Sequence, residues 1–451
     1  MQSHIMCRRD CGRTVNPGVN SPYQRGVRAV RATPVALLLL ISAVSAPSAR
    51  AADAEPKQLG IEDAAALAVE SQPLLESQRS AVAGTRESAI AAAQLPDPVL
   101  VGEIADFPVG GADSFSLRRD PFTQYMLGIR QEFPGGRKRA LRAERVVAEA
   151  DRLETELRQQ ELVLQRAVRL AWLAAWGALS AQGIVRTMIA DASDQAKLIE
   201  IGYRAGKTSQ ADLSAARVAV GLLEDTLDEL KQKEIQARNE MRRWIGNDAD
   251  RPIKAELPEW PESDVPELLR RLERHPHVAA QAKAVDVASA ELKLAREEYR
   301  PDWSVRVAYG YRPDFSDMAG IEFEIALPFF TRNRQDRTVQ ARAADVRRAE
   351  LLQEDALREH RAAVHINAAN WDRLQGRLGN FDRLIVPGAQ QRLDAAMMAY
   401  AAGSGSLSAV LDARRSLLDV RLQRLELEVE ATRNRIELLY LSDAGTGETP
   451  L

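Results

Sequence analysis

The residue types that do chemistry are sparse in this chain. Its 451 residues include five histidines and two cysteines. Cys7 and Cys11 both precede an apolar run, so the chain beyond it has no thiol for a nucleophile or a soft metal site. His360 and His365 are five apart, not the four that puts two ligands on one helix face. His275-Pro276-His277 brings two imidazoles close. A stable metal site needs three or four ligands, and the proline reads better as a helix start. Met397 and Met398 read as helix packing. Gly206-Lys207-Thr208 is similar to the end of a phosphate-binding loop, but Ile201 stands where that loop's first glycine belongs. No catalytic residue, metal centre or cofactor is expected.

What must position anything else is a duplicated plan. The first copy is expected over 53–250 and the second over 267–442, joined by a Pro-rich linker at 251–266. A short tail, 443–451, follows. Each copy opens with a helix near a proline (Pro73, Pro276) and reaches an extended segment at Pro-Asp: Pro96-Asp97 and Pro301-Asp302. Each closes that segment with another proline, Pro134 and Pro328, before a basic cluster. Those clusters are Arg137, Lys138 and Arg139, and Arg332, Arg334 and Arg337. Later the turns 203–209 and 400–406 repeat the order Tyr, Ala, Gly, Ser. Gly206 and Gly403 suit a chain reversal between antiparallel helices, and Ser209 and Ser406 suit the N-caps that follow. Long proline-free stretches with Leu153, Leu157, Leu164, Val168 and Trp172, or Leu411, Leu418, Leu425 and Ile436, keep helical spacing.

Four segments break that helical period. Trp303, Val305, Val307 and Tyr309 alternate with Ser304, Arg306, Ala308 and Gly310. Ile321, Phe323 and Ile325, with Leu327, alternate with Glu322, Glu324 and Ala326. The segment 124–133 behaves likewise, and 99–107 more weakly. Period-two alternation is strand. The hairpins, about 97–133 and 301–330, are also rich in aromatics. An apolar, aromatic-edged face opposite a charged one describes strands of a transmembrane barrel. Four strands cannot close a barrel, so copies must combine: two would give eight strands and three would give twelve.

Composition agrees. With 45% hydrophobic and 28% charged residues, the chain is neither disordered nor a polytopic helical membrane protein. A net charge of -3 gives no basic footprint, so nucleic acid is not an expected partner. Arginines before an apolar run at 35–44, then small residues to Ala52, read as a cleaved secretory signal over 1–52. Beyond it no transmembrane helix is expected.

In its duplicated plan and its two turns the chain resembles outer-membrane efflux proteins of the TolC type. The resemblance covers about 60–442. It implies a mainly α fold with a β-barrel part: a homotrimer whose twelve strands form one outer-membrane barrel above a long periplasmic α-helical barrel. It further implies a passive duct and no enzyme. Its partners would be a periplasmic adaptor and an inner-membrane pump of the RND type. Trp303, Val305, Val307, Tyr309, Ile321, Phe323 and Ile325 would face lipid. Gly206, Lys207, Thr208 and Ser209, with Gly403, Ser404, Gly405 and Ser406, would be the tunnel tips where the adaptor docks. Asp412, and more weakly Asp212, would form pore-facing carboxylate rings favouring cations. The alternative for either Asp is a solvated face or a pair with Arg217, Arg414 or Arg415. The segments Phe133-Pro134-Gly135-Gly136-Arg137-Lys138-Arg139 and 327–334 look most like the heavy-metal (cobalt–zinc–cadmium and copper–silver) branch. Other functions compatible with long antiparallel helices are a periplasmic coiled-coil adaptor and a duct for type I protein secretion.

Overall fold

The structure, a computed structural model, describes residues 58–260 and 264–442. The expected signal at 1–52 and tail at 443–451 lie outside the described residues. The first repeat comprises α1 (Ile61–Ser71), α2 (Pro73–Ala92), β1 (Val99–Ala105), β2 (Gln124–Phe133), α3 (Lys138–Arg204) and α4 (Gln210–Ile245). The second comprises α5 (Val265–Arg271), α6 (Pro276–Glu297), β3 (Trp303–Tyr311), β4 (Met318–Ile325), α7 (Gln335–Asn380), α8 (Val386–Ala401) and α9 (Leu407–Ser442).

The two repeats match in length. α3 has 67 residues, and α7, a π turn at Phe381–Ile385 and α8 follow one another over the same span, 335–401. α4 and α9 have 36 residues each. The π turn stands just ahead of Pro387, whose ring and missing N–H would break a regular helix; the wider turn absorbs both faults. At about 1.5 Å per residue, α3 extends on the order of 100 Å.

Sequence patterning placed two strand ends too far along. β1 stops at Ala105 because Asp106 takes a left-handed φ of 55°. β4 covers Met318–Ile325, so Leu327 lies past the ladder, next to Pro328, which has no N–H to offer. The Pro-rich linker is not a free tether where it is described. Leu59 N–H donates to Pro252 O at 2.7 Å, and Trp176 Nε1 donates to Ala255 O at 2.7 Å.

Contrary to the expectation of no membrane-length apolar helix, α3 contains a stretch long and apolar enough to cross a membrane. Its side chains have another use. Val168, Ala171, Trp172, Leu173, Ala175 and Trp176 are buried among Leu59, Ala64, Ala68, Met241 and Ile436 from the chain ahead of α1 and from α1, α4 and α9. Trp172 is fully buried and donates its Nε1–H to Leu59 O at 2.9 Å, as a buried indole must. The stretch is the core of the bundle.

Where strands meet helices, a charge is buried. Lys138, the first residue of α3, is 2% exposed. Its Nζ lies 2.9 Å from Asp302 Oδ1 and 3.2 Å from Glu298 Oε2. Asp302 Oδ1 also accepts the Gly135 N–H at 2.6 Å. Gly135 has no room for a side chain, since a Cβ would lie 2.0 Å from Pro301 O. This knot ties the end of the first hairpin to the start of the second. Asp302→Asn keeps the shape and removes the charge, leaving the buried ammonium to Glu298. It should destabilise the chain by about 2–3 kcal/mol in denaturant titration. Lys138→Met should cost less, because it removes the buried charge together with its need for a partner. Equal losses for the two variants would contradict this account of the knot.

Candidate functional site

The four strands form one antiparallel sheet in the order β1-β2-β3-β4. The register sets Leu127 opposite Tyr309, Phe133 opposite Trp303, Val307 opposite Ile321 and Val305 opposite Phe323. Period-two geometry then separates two faces. One carries Leu100, Ile104, Leu127, Ile129, Trp303, Val305, Val307, Tyr309, Ile321, Phe323 and Ile325. Of these Val305 is half-buried and the others are exposed. Aromatics edge this face at both ends: Phe133 stacks on Trp303 at 4.3 Å, and Tyr125 lies 6.5 Å from Tyr311.

The opposite face is polar. Arg306 makes ion pairs with Glu103 at 2.8 Å and with Glu322 at 2.5 Å, and Ser304 Oγ donates to Glu324 at 3.3 Å. Arg130 joins them around a cavity of about 340 Å³. Beyond the sheet's ends, β1 and β4 each present a backbone edge that pairs with no strand among the described residues.

At the far ends of the long helices the two turns are built alike. Gly206 and Gly403 adopt left-handed φ of 71° and 75°. Lys207 N donates to Gly202 O at 2.8 Å, and Ser404 N to Ala399 O at 3.0 Å, the six-to-one bond that ends a helix on a left-handed glycine. Ser209 Oγ then accepts from Asp212 N at 3.1 Å, and Ser406 Oγ from Ala409 N at 3.3 Å. Thr208 Oγ1 bonds Ile199 O at 3.0 Å. Gly405 is pressed against Ala399, which a Cβ would approach to 3.0 Å. Ile199, Leu213 and Leu407 are buried together with Tyr400 against them, so the turns share one small core. Gly206, Lys207 and Ser209, and Gly403, Ser404 and Ser406, are exposed above it.

The two candidate carboxylates differ. Asp212 Oδ2 accepts from both the N–H and the Oγ–H of Ser209, closing a capping box, so any pore-facing role competes with the cap. Asp412 is exposed and has no ion pair among the described residues. Of the cations weighed as its partners, Arg217 bonds Glu200 at 3.3 Å, Arg414 is buried in the bundle, and Arg415 is exposed with no ion pair among the described residues.

Sequence spacing missed one cluster. His360 on α7 lies 4.6 Å from His275 and 4.9 Å from His277, ring centre to ring centre, while His365 stays exposed outside. A contact this distant in sequence leaves no local signal. His275 is committed on both sides: Nδ1 accepts from His277 N and Nε2 donates to Tyr440 O at 3.0 Å. No group that could hold a metal is found among the described residues. Burial and the neighbouring His360 depress the His275 pKa to about 4, and burial lowers that of His360. His277, Tyr440, Arg166 and Glu359 also face the cluster. Both rings are therefore folded in neutral. The contribution of His275 to stability is complete above the unfolded value near 6.5 and is lost as pH falls from there toward about 4. Denaturation at pH 7.5 and pH 5 should differ by about 2 kcal/mol from His275. His275→Asn should flatten that dependence; an unchanged slope would remove the cluster from the account.

Comparison with known proteins agrees with this architecture. Residues 269–442 match the family described as outer membrane efflux protein. The cobalt-zinc-cadmium resistance protein CzcC of Cupriavidus metallidurans is 30% identical over 227 residues, 49% of this chain. The chain spans about half the length of that relative, 53%. The crystal structure of CusC, whose description concerns folding and transmembrane channel formation, superposes with a TM-score of 0.71. It covers 86% of this chain and 93% of its own, at 17% identity. The outer membrane protein VceC of Vibrio cholerae gives 0.70, covering 84% and 95% at 18% identity. The second repeat thus matches the outer membrane efflux protein family, and the fold over most of the chain is the one seen in CusC and VceC.

Proposed function

We propose that three copies of this chain form a passive exit duct through an outer membrane. Its twelve strands close one barrel and its helices line a periplasmic tunnel. A periplasmic adaptor docks at the tips and an inner-membrane pump of the RND type supplies the energy. Heavy-metal cations are the proposed cargo, on the strength of the resistance named for CzcC. The observation that carries the reading is the sheet itself: one face apolar and aromatic-edged, the other charged, with both edges open. A soluble protein would turn the charged face outward. In lipid an open edge leaves backbone groups unsatisfied, so closure by further copies is required. At nine and ten residues, β3 and β2 have the length of tilted membrane strands.

Purified in detergent from an outer-membrane fraction, the protein should have the mass of a trimer. A monomer, or recovery in the soluble fraction, would contradict the duct and return the chain to a periplasmic adaptor. Val305→Arg or Ile325→Arg puts a charge against lipid at a cost of about 2–4 kcal/mol near the midplane and should impair insertion. Glu324→Gln, on the lumen side, should insert normally. Equal insertion of both kinds would reverse the assignment of faces.

The tips give a separable test. Nothing lies within 4 Å of a Cβ added at Gly403, so a larger residue costs only its left-handed strain, about 1–2 kcal/mol. Gly403→Trp should therefore leave the trimer intact while abolishing efflux in cells. Asp412→Asn should preserve assembly and lower cation conductance in a planar bilayer. Full efflux by the first variant would dismiss docking at this tip, and unchanged conductance by the second would leave Asp412 a solvated residue.

A further inference from the structure

Each open side of the sheet carries an exposed charge without an ion pair among the described residues. Asp97 precedes β1 and Arg332 lies in the 3-10 turn Thr331–Asn333 after β4. The internal repeat relates them to a pair that is already made. Asp97 follows Pro96 ahead of β1 as Asp302 follows Pro301 ahead of β3. From Phe133 and from Leu327 the chain reads alike: a proline next, then a left-handed residue, Gly136 with φ 60° and Phe330 with φ 61°. Two residues beyond each stands a cation, Lys138 in one repeat and Arg332 in the other. Lys138 is buried on Asp302 where β2 meets β3.

Closure of the proposed barrel sets β4 of one copy antiparallel to β1 of the next; we infer that the two pair in the register that the β2–β3 ladder prescribes. Arg332 of the first copy then meets Asp97 of the second, rebuilding between chains the junction that Lys138 and Asp302 make within one. This rests on the duct reading and deepens it by naming the joint. Carried over the repeat, the ladder places Phe323 opposite Gly102, Ile325 opposite Leu100 and Ile321 opposite Ile104. Every one of these lies on the apolar face of its own strand. That agreement is not built in: a slip of one residue would put apolar side chains against the charged face. Gly102 has nothing within 4 Å of an added Cβ, and Phe323 is 71% exposed, so the ring has a free glycine to cover. The same register sets Glu322 opposite Glu103, each already paired to an Arg306. Glu298, the second partner of Lys138, has no acidic counterpart, since Ala93 stands at that place. Arg332 and Asp97 are therefore a single pair.

The test uses the full chain in outer membranes, with Cys7 and Cys11 replaced by Ser. Phe323→Cys with Gly102→Cys should give disulfide-linked dimers and trimers under mild oxidation, because directly opposed strand residues stand about 4.5–5.5 Å apart at Cα. Phe323→Cys with Leu100→Cys, or with Ile104→Cys, should cross-link far less. Asp97→Arg and Arg332→Asp should each lower the temperature at which the oligomer dissociates in detergent, and the double exchange should restore it. An oligomer that cross-links best through Leu100 or Ile104 overturns the register and leaves the duct standing. Failure of the double exchange, or compensation by Arg334→Asp instead, overturns the ion pair. A monomer in detergent would overturn the duct reading as well.

Discussion

Backbone hydrogen bonding at the rim of a four-stranded sheet governs the rest of this molecule. An amide left unpaired in hydrocarbon costs several kcal/mol, far more than a side-chain contact returns. β2 and β3 are satisfied from both sides, whereas β1 and β4 each have one row of N–H and C=O groups facing outward. Their neighbours are apolar and exposed, so water is no natural solvent for the sheet either. The long helices answer a different demand. They bury one another through Trp172, Trp176 and a seam of alanines, and need no further strand to be complete.

The two demands meet at a few residues between Phe133 and Lys138. A proline ends the strand, a left-handed glycine turns the chain, and a buried lysine begins a helix of 67 residues. The partners of that lysine come from the other repeat. The hairpins are thus fixed to the helices by an ionic bond across the duplication, not by the local chain alone. At the opposite end the helices need no such bond, because each pair closes on its own turn.

Much of this could be read from spacing. β2 and β3 were legible to the residue, since strict alternation runs between prolines and aspartates. The turns were legible because a glycine and a capping serine recur at the same separation. Two of the losses share one cause, contact between residues far apart in the chain. Nothing local distinguishes Lys138 from Arg137 and Arg139; its burial depends on Asp302. The approach of His360 to His275 depends on how α7 lies against α6. The capping box at Ser209 and Asp212 was open to local reading, through a serine three residues before an acid. The apolar stretch of α3 was missed for another reason, because interspersed alanines and two tryptophans disguise its length.

The pairing of β2 with β3 also bears on how the chain acquires its shape. Tyr125 on β2 stands opposite Tyr311 on β3, with α3, α4, α5 and α6 lying between them in sequence. Each hairpin is local and can form early, but the central ladder is not. Closing so large a loop is slow, and it waits for elements from both repeats to be synthesised and packed. Until then two separate ribbons with apolar faces and open edges stand in the same nascent chain, which is the condition for aggregation. The interval before the central ladder closes is therefore when the chain is most exposed to aggregation, whatever the stability of the finished helices.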